Sequence, residues 1–343
     1  MRIAGKTFIS CVSVGLLLLG GSLAARAEPT LAAVKKRGQL VCGINGELPG
    51  FSVMNARKEW EGIEVDLCRA IAAATLGDAG KATFVPLTAA RRFEALTKGD
   101  IDVLVRNSTV TLDRTARTGV RDAGVYFIDG QSVAVAKKLG IARLTGLDKG
   151  TVCVLRGTPY EKDLQDWFTF RKLSVVSLMF DTQTAMYEAF FAGRCQGVTQ
   201  DVSAIAGTVV ASGKAADYLV LPETVATHPL APFVRAGDDE WLDVVRWTIY
   251  AMLGAEEHGV TRANVDDQRR AGRAAVQRLL GVEPGSGKSL GLDESWAYAI
   301  IKQVGNYGEV YERNVGVASP LKFARGVNAL WSVGGALYSP PLH

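Results

Sequence analysis

A strand–helix plan occurs twice along this chain, and it leaves few folds open. In the first half, short apolar runs alternate with segments of helical period; these lie at 39–44, 65–76, 82–85, 91–98 and 101–105. Such alternation predicts a mostly parallel sheet flanked by helices. The second half repeats the plan from residue 151, and FEALTKG at 93–99 has a counterpart in YEAFFAG at 187–193. We therefore predict two similar α/β lobes.

The repeat also indicates where a ligand would bind. Asn107 and Asp201 occupy equivalent positions in the two halves, each just past the carboxyl end of a predicted strand. Because open α/β sheets bind ligands beyond those strand ends, we expect the two edges to face each other across a cleft. We expect the chain to cross between lobes near 126–135 and to return near 221–232. The predicted boundaries are 28–131 and 230–343 for lobe 1, which includes a helical C-terminal extension, and 132–229 for lobe 2.

The first 27 residues predict export from the cytoplasm. Arg2 and Lys6 form a basic start, an apolar stretch follows, and Ala25-Arg26-Ala27 places small residues at a cleavage site. This pattern is typical of a secretory signal peptide, so we expect cleavage after Ala27 and a periplasmic protein. A membrane anchor is the alternative, but the uncharged stretch is shorter than the roughly 20 apolar residues that a spanning helix needs.

Export gives the remaining cysteines a structural meaning. Once Cys11 is removed, four are left: Cys42, Cys68, Cys153 and Cys195. Four cysteines allow three pairings, and we favour Cys42–Cys68 and Cys153–Cys195 because each pair then lies within one half. Disulfides are expected in an oxidising compartment. Catalytic thiols are the other interpretation, but no histidine lies near any of the four in sequence.

Charge and the absence of several motifs exclude other classes of function. The 343 residues include 39 basic and 35 acidic ones, and three of the basic residues lie in the first 27 positions, which hold no acid. A nearly neutral body has no electrostatic reason to bind nucleic acid or an anionic membrane. The three histidines are far apart and there is no P-loop and no G-x-S-x-G elbow. We therefore expect no metal and no other cofactor.

Two polar loops supply groups for the cleft. Residues 106–114 (RNSTVTLDR) end in Arg114, and a guanidinium binds a carboxylate through two parallel hydrogen bonds. Thr158-Pro159 with Glu161 predicts a capping box, and such a helix start attracts anions. With Asp201 supplying the opposite charge, these groups suit a zwitterion. Each also has a structural explanation, since an arginine near a helix start is commonly exposed and an aspartate after a strand is commonly a turn former.

Several longer motifs carry a family resemblance over essentially the whole exported chain. They are LPGF at 48–51, DVLVRN at 102–107, PLAP at 229–232, GDDEW at 237–241, WAY at 296–298, IIKQVGNYGE at 300–309 and SPL at 319–321. The sequence resembles the periplasmic general L-amino-acid-binding proteins of ABC importers, in solute-binding protein family 3. The resemblance implies a two-lobed, hinged periplasmic binding protein fold of the Venus-flytrap type. It also implies a free L-amino acid as ligand, and an inner-membrane ABC permease with its ATPase as partners.

The resemblance assigns roles to individual residues. Arg114 matches the carboxylate-binding arginine, Asn107 and Thr109 match residues that meet the ligand from lobe 1, Asp201 matches the ammonium-binding aspartate, and Thr158 lies in the lobe 2 loop. We add Glu47 and Phe51 as candidate ligand contacts. Glu47 follows Gly46 where Thr-Gly is usual, and Pro159 replaces a second threonine and has neither hydroxyl nor N–H. These departures favour a shifted or narrowed ligand range.

An enzyme is the alternative function, because this fold also includes periplasmic dehydratases that act on prephenate or arogenate. Such an enzyme would need a carboxylic acid of raised pKa in the cleft, for which Glu47 or Glu161 would serve. The agreement with the transport proteins extends through the tail. We therefore predict a binding protein without catalytic activity.

Overall fold

The computed structural model describes Met1 and residues 28–342 of the chain. The predicted signal peptide and its cleavage after Ala27 fall outside the described residues. Within residues 28–342, no helix has the length and apolar character needed to cross a membrane.

The described residues form fourteen strands and thirteen α-helices. The strands are β1 (Leu40–Ile44), β2 (Glu47–Leu48), β3 (Ser52–Met54), β4 (Trp60–Glu61), β5 (Ala82–Pro86), β6 (Val103–Leu104), β7 (Val120–Asp122), β8 (Phe127–Ala136), β9 (Gly150–Leu155), β10 (Val175–Phe180), β11 (Gly197–Asp201), β12 (Tyr218–Val220), β13 (Ala226–Leu230) and β14 (Phe233–Arg235). The helices are α1 (Thr30–Arg37), α2 (Ile63–Leu76), α3 (Arg92–Lys98), α4 (Leu112–Arg117), α5 (Tyr160–Phe170), α6 (Gln183–Phe191), α7 (Val202–Ala211), α8 (Asp239–Glu257), α9 (Val265–Ala271), α10 (Ala274–Leu279), α11 (Ser286–Ser289), α12 (Trp296–Gln303) and α13 (Tyr307–Asn314).

Two mixed sheets form the centres of two lobes. The sheet of lobe 1 has the order β5-β1-β6-β14-β7, with β1 parallel to β5 and β6 and with β14 antiparallel to its neighbours. The sheet of lobe 2 has the order β10-β9-β11-β8-β12, with β9 parallel to β10 and β11 and with β8 antiparallel to β11. Each lobe therefore contains the predicted parallel βαβαβ unit, completed by antiparallel strands.

Two neighbouring strands connect the lobes. β8 and β13 pair antiparallel from Phe127 opposite Leu230 to Gln131 opposite Ala226. β8 continues into the sheet of lobe 2, where it pairs with β11 and β12. The predicted domain boundaries, between 131 and 132 and between 229 and 230, fall within these two strands.

The two lobes are packed differently. In lobe 1, one large core joins the sheet to α2, α8 and the C-terminal helices, and it includes the buried side chains of Trp241 and Trp296. Lobe 2 has two smaller clusters, one around Phe190 and one around Phe168. Burying a large apolar side chain contributes roughly 1.5–3 kcal/mol, so the C-terminal extension stabilises lobe 1 in particular.

Each lobe carries one of the two expected disulfides. Cys42 in β1 is bonded to Cys68 in α2, and Cys153 in β9 is bonded to Cys195 just before β11. Each bond ties a central strand to the next layer or loop of its own lobe. In a chain-entropy description, closing loops of 26 and 42 residues stabilises the fold by about 3.5 and 4 kcal/mol.

Candidate ligand site between the lobes

Two adjoining cavities lie between the lobes at the ends of the central strands. The outer cavity has a volume of about 310 Å³ and is lined from lobe 1 by Asn45, Gly46, Glu47, Pro86, Leu87, Thr88, Ala89 and Arg106, and from lobe 2 by Leu155, Asp181, Thr182 and Gln183. The inner cavity has a volume of about 10 Å³ and is lined by Arg92, Arg106, Asn107, Thr109, Arg114, Leu155, Thr158, Pro159, Tyr160 and Gln200. Arg106 and Leu155 line both, so the two cavities form one continuous site.

The lobes already touch around this site. Gln183 Nε2 donates to the carbonyl oxygen of Glu47 at 3.1 Å, and Arg92 Nη2 donates to the carbonyl oxygen of Gly157 at 3.3 Å. Gly157 has φ +77°, and a Cβ there would lie 3.2 Å from the backbone nitrogen of Ala90. Glycine therefore provides both the backbone conformation and the close approach between the lobes.

Three buried arginines line the inner cavity. Arg92 opens α3, Arg106 follows β6, and Arg114 lies in the first turns of α4; their exposed fractions are 2%, 3% and 8%. Arg106 Nε donates to the Leu87 carbonyl at 2.7 Å and Arg114 Nη1 to the Thr109 carbonyl at 2.6 Å, whereas the Arg92 Nε has no hydrogen-bond partner. Their side-chain hydrogen bonds all go to backbone carbonyls, and none of the three forms a salt bridge with a carboxylate of the described residues. The inner cavity is therefore strongly cationic.

Burial and mutual repulsion act on these guanidinium groups. Burial lowers the pKa of Arg92, and the neighbouring charges of Arg114 and Arg106 lower it further. Burial likewise lowers the pKa of Arg114, to about 10, although Tyr160 and Asp201 act in the opposite direction. Arg92 and Arg114 both lie over the ring of Phe93, with their guanidinium carbons 5.0 and 5.3 Å from its centre. Contact with the ring offsets only part of the cost of burying two cations.

The other predicted residues of lobe 1 divide between the site and the core. Asn107 and Thr109 line the inner cavity, and Asn107 accepts a hydrogen bond from the Asn45 amide at 3.0 Å. Glu47 lines the outer cavity. Phe51 does not line either one. Its ring is fully buried in the core of lobe 1, 5.2 Å from that of Phe127, so the structure contradicts the prediction of a ligand contact at Phe51.

In lobe 2, Thr158 lines the inner cavity but does not cap a helix. Its hydroxyl donates to the Leu155 carbonyl at 2.6 Å, and α5 begins at Tyr160 after an N-cap residue, Pro159, that makes no side-chain hydrogen bond. The predicted capping box is therefore wrong. The physical reason is that the helix starts one residue later than the box requires, which leaves Glu161 in the first turn without its partner.

Asp201 lies behind the inner cavity and is absent from its lining. Its carboxylate is fully buried and has two partners, Tyr160, whose hydroxyl donates to Oδ2 at 2.7 Å, and His228, whose Nδ1 lies 2.6 Å from Oδ1. His228 Nε2 lies 3.1 Å from Asp163 Oδ2. Burial lowers the pKa of His228, but the hydrogen bonds to Asp163 and Asp201 outweigh it and raise the pKa to about 9. The histidine is therefore protonated at neutral pH and neutralises Asp201.

Sequence reasoning missed four residues of this arrangement: Arg92, Arg106, Tyr160 and His228. Arg106 and Tyr160 lie inside the two loops that were singled out, so their position was a usable signal. Arg92 stands beside the exposed Arg91 at a helix start and nothing local distinguishes the two. His228 faces Asp129 across β8 and β13, a relation that only the strand register reveals.

A larger cavity elsewhere is a poorer candidate. It has a volume of about 720 Å³ and lies between the β2–β4 ribbon, α7 and the tail. Its arginines are already paired: Arg69 Nη1 and Arg313 Nη2 lie 3.2 and 2.8 Å from Asp66, and Arg57 lies 3.0 Å from Glu59. Partnered surface charges leave little to gain from a ligand.

Comparisons with known proteins agree with the fold. Residues 40–258 match the model of the bacterial extracellular solute-binding proteins, family 3. The chain is 43% identical over 338 residues to the putative amino-acid ABC transporter-binding protein YhdW of Escherichia coli, covering 98% of this chain and 99% of the relative. It is 40% identical over 339 residues to the general L-amino acid-binding periplasmic protein AapJ of Rhizobium johnstonii, with the same two shares covered.

A solved structure extends the agreement to three dimensions. It is an ABC transporter periplasmic binding protein from Brucella ovis with glutathione bound, 42% identical, with a TM-score of 0.90 over 92% of this chain and 100% of that chain. These matches confirm the predicted two-lobed fold and give no support to the dehydratase-like alternative. The chain belongs to family 3 of the bacterial extracellular solute-binding proteins, which are binding proteins and not enzymes.

Proposed function

We propose that this protein captures a free L-amino acid, or a related zwitterion, between its lobes and delivers it to an inner-membrane ABC permease and ATPase for uptake. The relative YhdW is named as an amino-acid ABC transporter-binding protein, and AapJ is named as a general L-amino acid-binding periplasmic protein. The observation that carries the proposal is the buried Arg114 in the interlobe cavity, with no carboxylate partner in the described residues. An arginine in that state binds a carboxylate strongly, since each charge-assisted hydrogen bond contributes about 1.5–3 kcal/mol.

In this proposal the ligand carboxylate binds Arg114 and is also met by Thr109 and Asn107. Thr158 borders the ligand from lobe 2, while its hydroxyl donates to the Leu155 carbonyl. The ammonium group lies towards Tyr160, whose hydroxyl oxygen is backed by Asp201. Asp201 therefore acts on the ammonium through Tyr160 and not by direct contact. Glu47 lines the wider outer cavity, where it meets the more distant part of the ligand.

Binding requires the lobes to move. The inner cavity of about 10 Å³ holds about one water molecule, so a ligand enters only when the lobes separate. We assign residues 28–131 and 230–343 to lobe 1 and 132–229 to lobe 2, with the hinge in β8 and β13, because both boundaries fall within these connecting strands. Hinged closure about a few residues at element ends is the usual motion of such two-lobed proteins. Export to the periplasm through the predicted signal peptide is part of the same proposal.

A thermal-shift screen with the twenty L-amino acids and reduced glutathione tests the proposal, followed by calorimetry on the ligands that bind. A ligand at a hundred times its dissociation constant adds about 2.7 kcal/mol of stability. Arg114→Ala is expected to weaken binding at least about 100-fold, because it removes the partner of a buried anion. Arg117→Ala is the matched control, since this arginine is on the same helix but exposed and paired with Asp113 at 3.3 Å. No binding by any of these compounds, or equal binding by the Arg114→Ala protein, would show the proposal to be wrong.

A further inference from the structure

The inner cavity carries more positive charge than one carboxylate neutralises. Its ten lining residues include Arg92, Arg106 and Arg114 and no acidic residue. The Arg92 Nε is a buried donor without a partner, in a side chain that is 2% exposed. Removing charged groups from water is costly unless they are paired. Three such groups at one cavity therefore indicate a ligand that brings several negatively charged oxygens.

The nearest acidic side chains are already engaged. Asp201 is bound by Tyr160 and by His228. Glu64, near Arg106, accepts hydrogen bonds from the Ser52 hydroxyl at 2.7 Å, from the Tyr126 hydroxyl at 3.1 Å and from the backbone N–H of Asn107. Burial raises the pKa of Glu64 to about 7 in spite of these bonds, so its negative charge is incomplete at neutral pH. Glu47 acts on Arg106 from the outer cavity, but inside the inner cavity no acidic side chain balances the three arginines.

We infer that the ligand carries two acidic groups, one bound by Arg114 and the other by Arg92 and Arg106. This rests on the proposed function and narrows it from amino acids in general to dicarboxylic ones. A carboxylate has about four acceptor positions. In the proposed pose Arg114 takes two of them in the bidentate arrangement and Thr109 and Asn107 take the others, so a second acidic group is what would engage the free donor of Arg92. In this assignment Arg92 and Arg106 determine specificity and Arg114 provides the anchoring common to all ligands.

Two kinds of dicarboxylic ligand would meet these charges once the lobes have separated and closed again. A compact acidic amino acid would place both acidic groups among the three arginines. A longer acidic peptide such as glutathione has its two carboxylates at opposite ends. It would keep one at Arg114 and carry the other towards Arg106, where the inner cavity joins the outer cavity of about 310 Å³ and where Glu47 and Asp181 also lie. Both share the same chemistry, and the experiment separates them.

The test is calorimetry on the full exported chain, with each diacid compared with an analogue of similar shape that lacks one charge. The pairs are L-glutamate with L-glutamine, and reduced glutathione with its glycine ethyl ester. We expect at least one diacid to bind about tenfold or more tightly than its analogue. Tighter binding of glutamate identifies a free amino acid as the source, and tighter binding of glutathione identifies a peptide.

Variants assign that preference to the arginines. Arg92→Gln is expected to lower the affinity for the preferred diacid at least about tenfold, so that diacid and analogue bind about equally. The control Arg91→Gln, at the exposed neighbouring position, should leave both affinities unchanged. Arg106→Gln is a second variant with the same expectation. Thermal unfolding of each variant checks that it folds, and the comparison of diacid with analogue in the unmodified protein needs no variant.

The outcomes separate this inference from the proposed function. If glutamine and the glutathione ester bind as tightly as the diacids, the inference is wrong and the proposed function stands. If glutarate binds but no amino acid and no glutathione does, the proposed function is wrong and the two-acid inference stands. If none of these compounds binds, both are wrong.

Discussion

Lobe 1 and lobe 2 meet at the same cleft, but their charged groups are in opposite states. The arginines of lobe 1 line the inner cavity without a carboxylate partner among the described residues, and Arg92 keeps an unpaired donor. The acid of lobe 2, Asp201, is fully buried and bound by Tyr160 and His228. Lobe 1 is thus incomplete without a ligand, whereas lobe 2 is complete by itself. The difference indicates that lobe 1 provides most of the binding free energy and lobe 2 mainly closes the site.

The largest loss of stability is expected when the buried charge network of lobe 2 is broken. Replacing Asp201→Ala leaves the buried, protonated His228 without its closest partner, and breaking a buried pair in this way typically costs 3–5 kcal/mol. We expect the free energy of unfolding to fall by about that amount in urea denaturation. Asp217→Ala is the control, because Asp217 is exposed in the same lobe and its loss should change little. A loss below about 1 kcal/mol at Asp201 would mean that lobe 2 does not depend on this network.

The free energy of unfolding should also depend on pH through the same network, by a smaller amount than the loss in Asp201→Ala. Since partners raise the pKa of His228 from 6.5 to about 9, the folded state binds this proton more tightly than the unfolded state does. The resulting stability is fully present below about pH 6.5 and is lost as the pH rises to about 9. We expect a decrease on the order of 2 kcal/mol across this window.

His228→Gln provides the control for that titration. Asp129 titrates as well, because burial and the charge of Asp201 raise its pKa from 3.8 to about 7. Its proton also stabilises the folded state, but this contribution is lost at lower pH, between pH 3.8 and about 7. Above pH 7 the decrease therefore belongs mainly to His228. The His228→Gln protein should show a nearly flat profile between pH 7 and 9, and an unchanged slope there would assign the titration to another group.

The two-lobed fold could be predicted from the sequence, but the charge states of the buried residues could not. The repeated strand–helix plan led to both lobes because period and glycine stops are local signals, as the agreement of 65–76 with Ile63–Leu76 shows. The disulfide pairing followed from keeping each pair within one half. Arg114, Asn107, Thr109, Thr158 and Glu47 all reach the cavities. These residues follow strand ends, which topology places at one edge.

The features that the sequence did not reveal depend on contacts between distant segments. Phe51 lies close in sequence to the site but is turned into the core by the tight turn before α2, where Gly62 has φ +128° and a Cβ would meet the Phe51 carbonyl. The link from Asp201 to His228 spans 27 residues and the one from His228 to Asp163 spans 65. No periodicity or motif encodes such separations. Burial of Arg92 but not Arg91 is likewise decided by the packing of α3.

The unpaired arginines of lobe 1 predict a gain in stability when one of them is removed. Arg92→Met keeps an unbranched apolar stem, removes a buried charge and loses only one long hydrogen bond, to the Gly157 carbonyl at 3.3 Å. Replacing buried ionic groups with apolar side chains is often stabilising by 1–4 kcal/mol, so we expect the ligand-free protein to gain about 1–2 kcal/mol. Arg91→Met, an exposed neighbour, should have almost no effect. A clear loss of stability in Arg92→Met would mean that lobe 1 already satisfies this arginine without a ligand.

The smallest effect concerns the one side-chain bond by which α6 of lobe 2 reaches β2 of lobe 1. Gln183→Ala removes the hydrogen bond from Nε2 to the Glu47 carbonyl at 3.1 Å, which exists only while the lobes are together. It also removes the bond that Gln183 Oε1 accepts from Gln200 at 2.9 Å within lobe 2, which is present whether the lobes are together or apart. A hydrogen bond of this kind contributes about 0.5–1.5 kcal/mol, so ligand affinity should fall by roughly 2–12-fold, chiefly through faster dissociation. Gln165→Ala is the control, because its amide bonds only to Val175 and Ser177 within lobe 2. If both variants lose affinity equally, the effect comes from the stability of lobe 2 and not from closure. The conclusion that lobe 2 mainly closes the site would then be wrong.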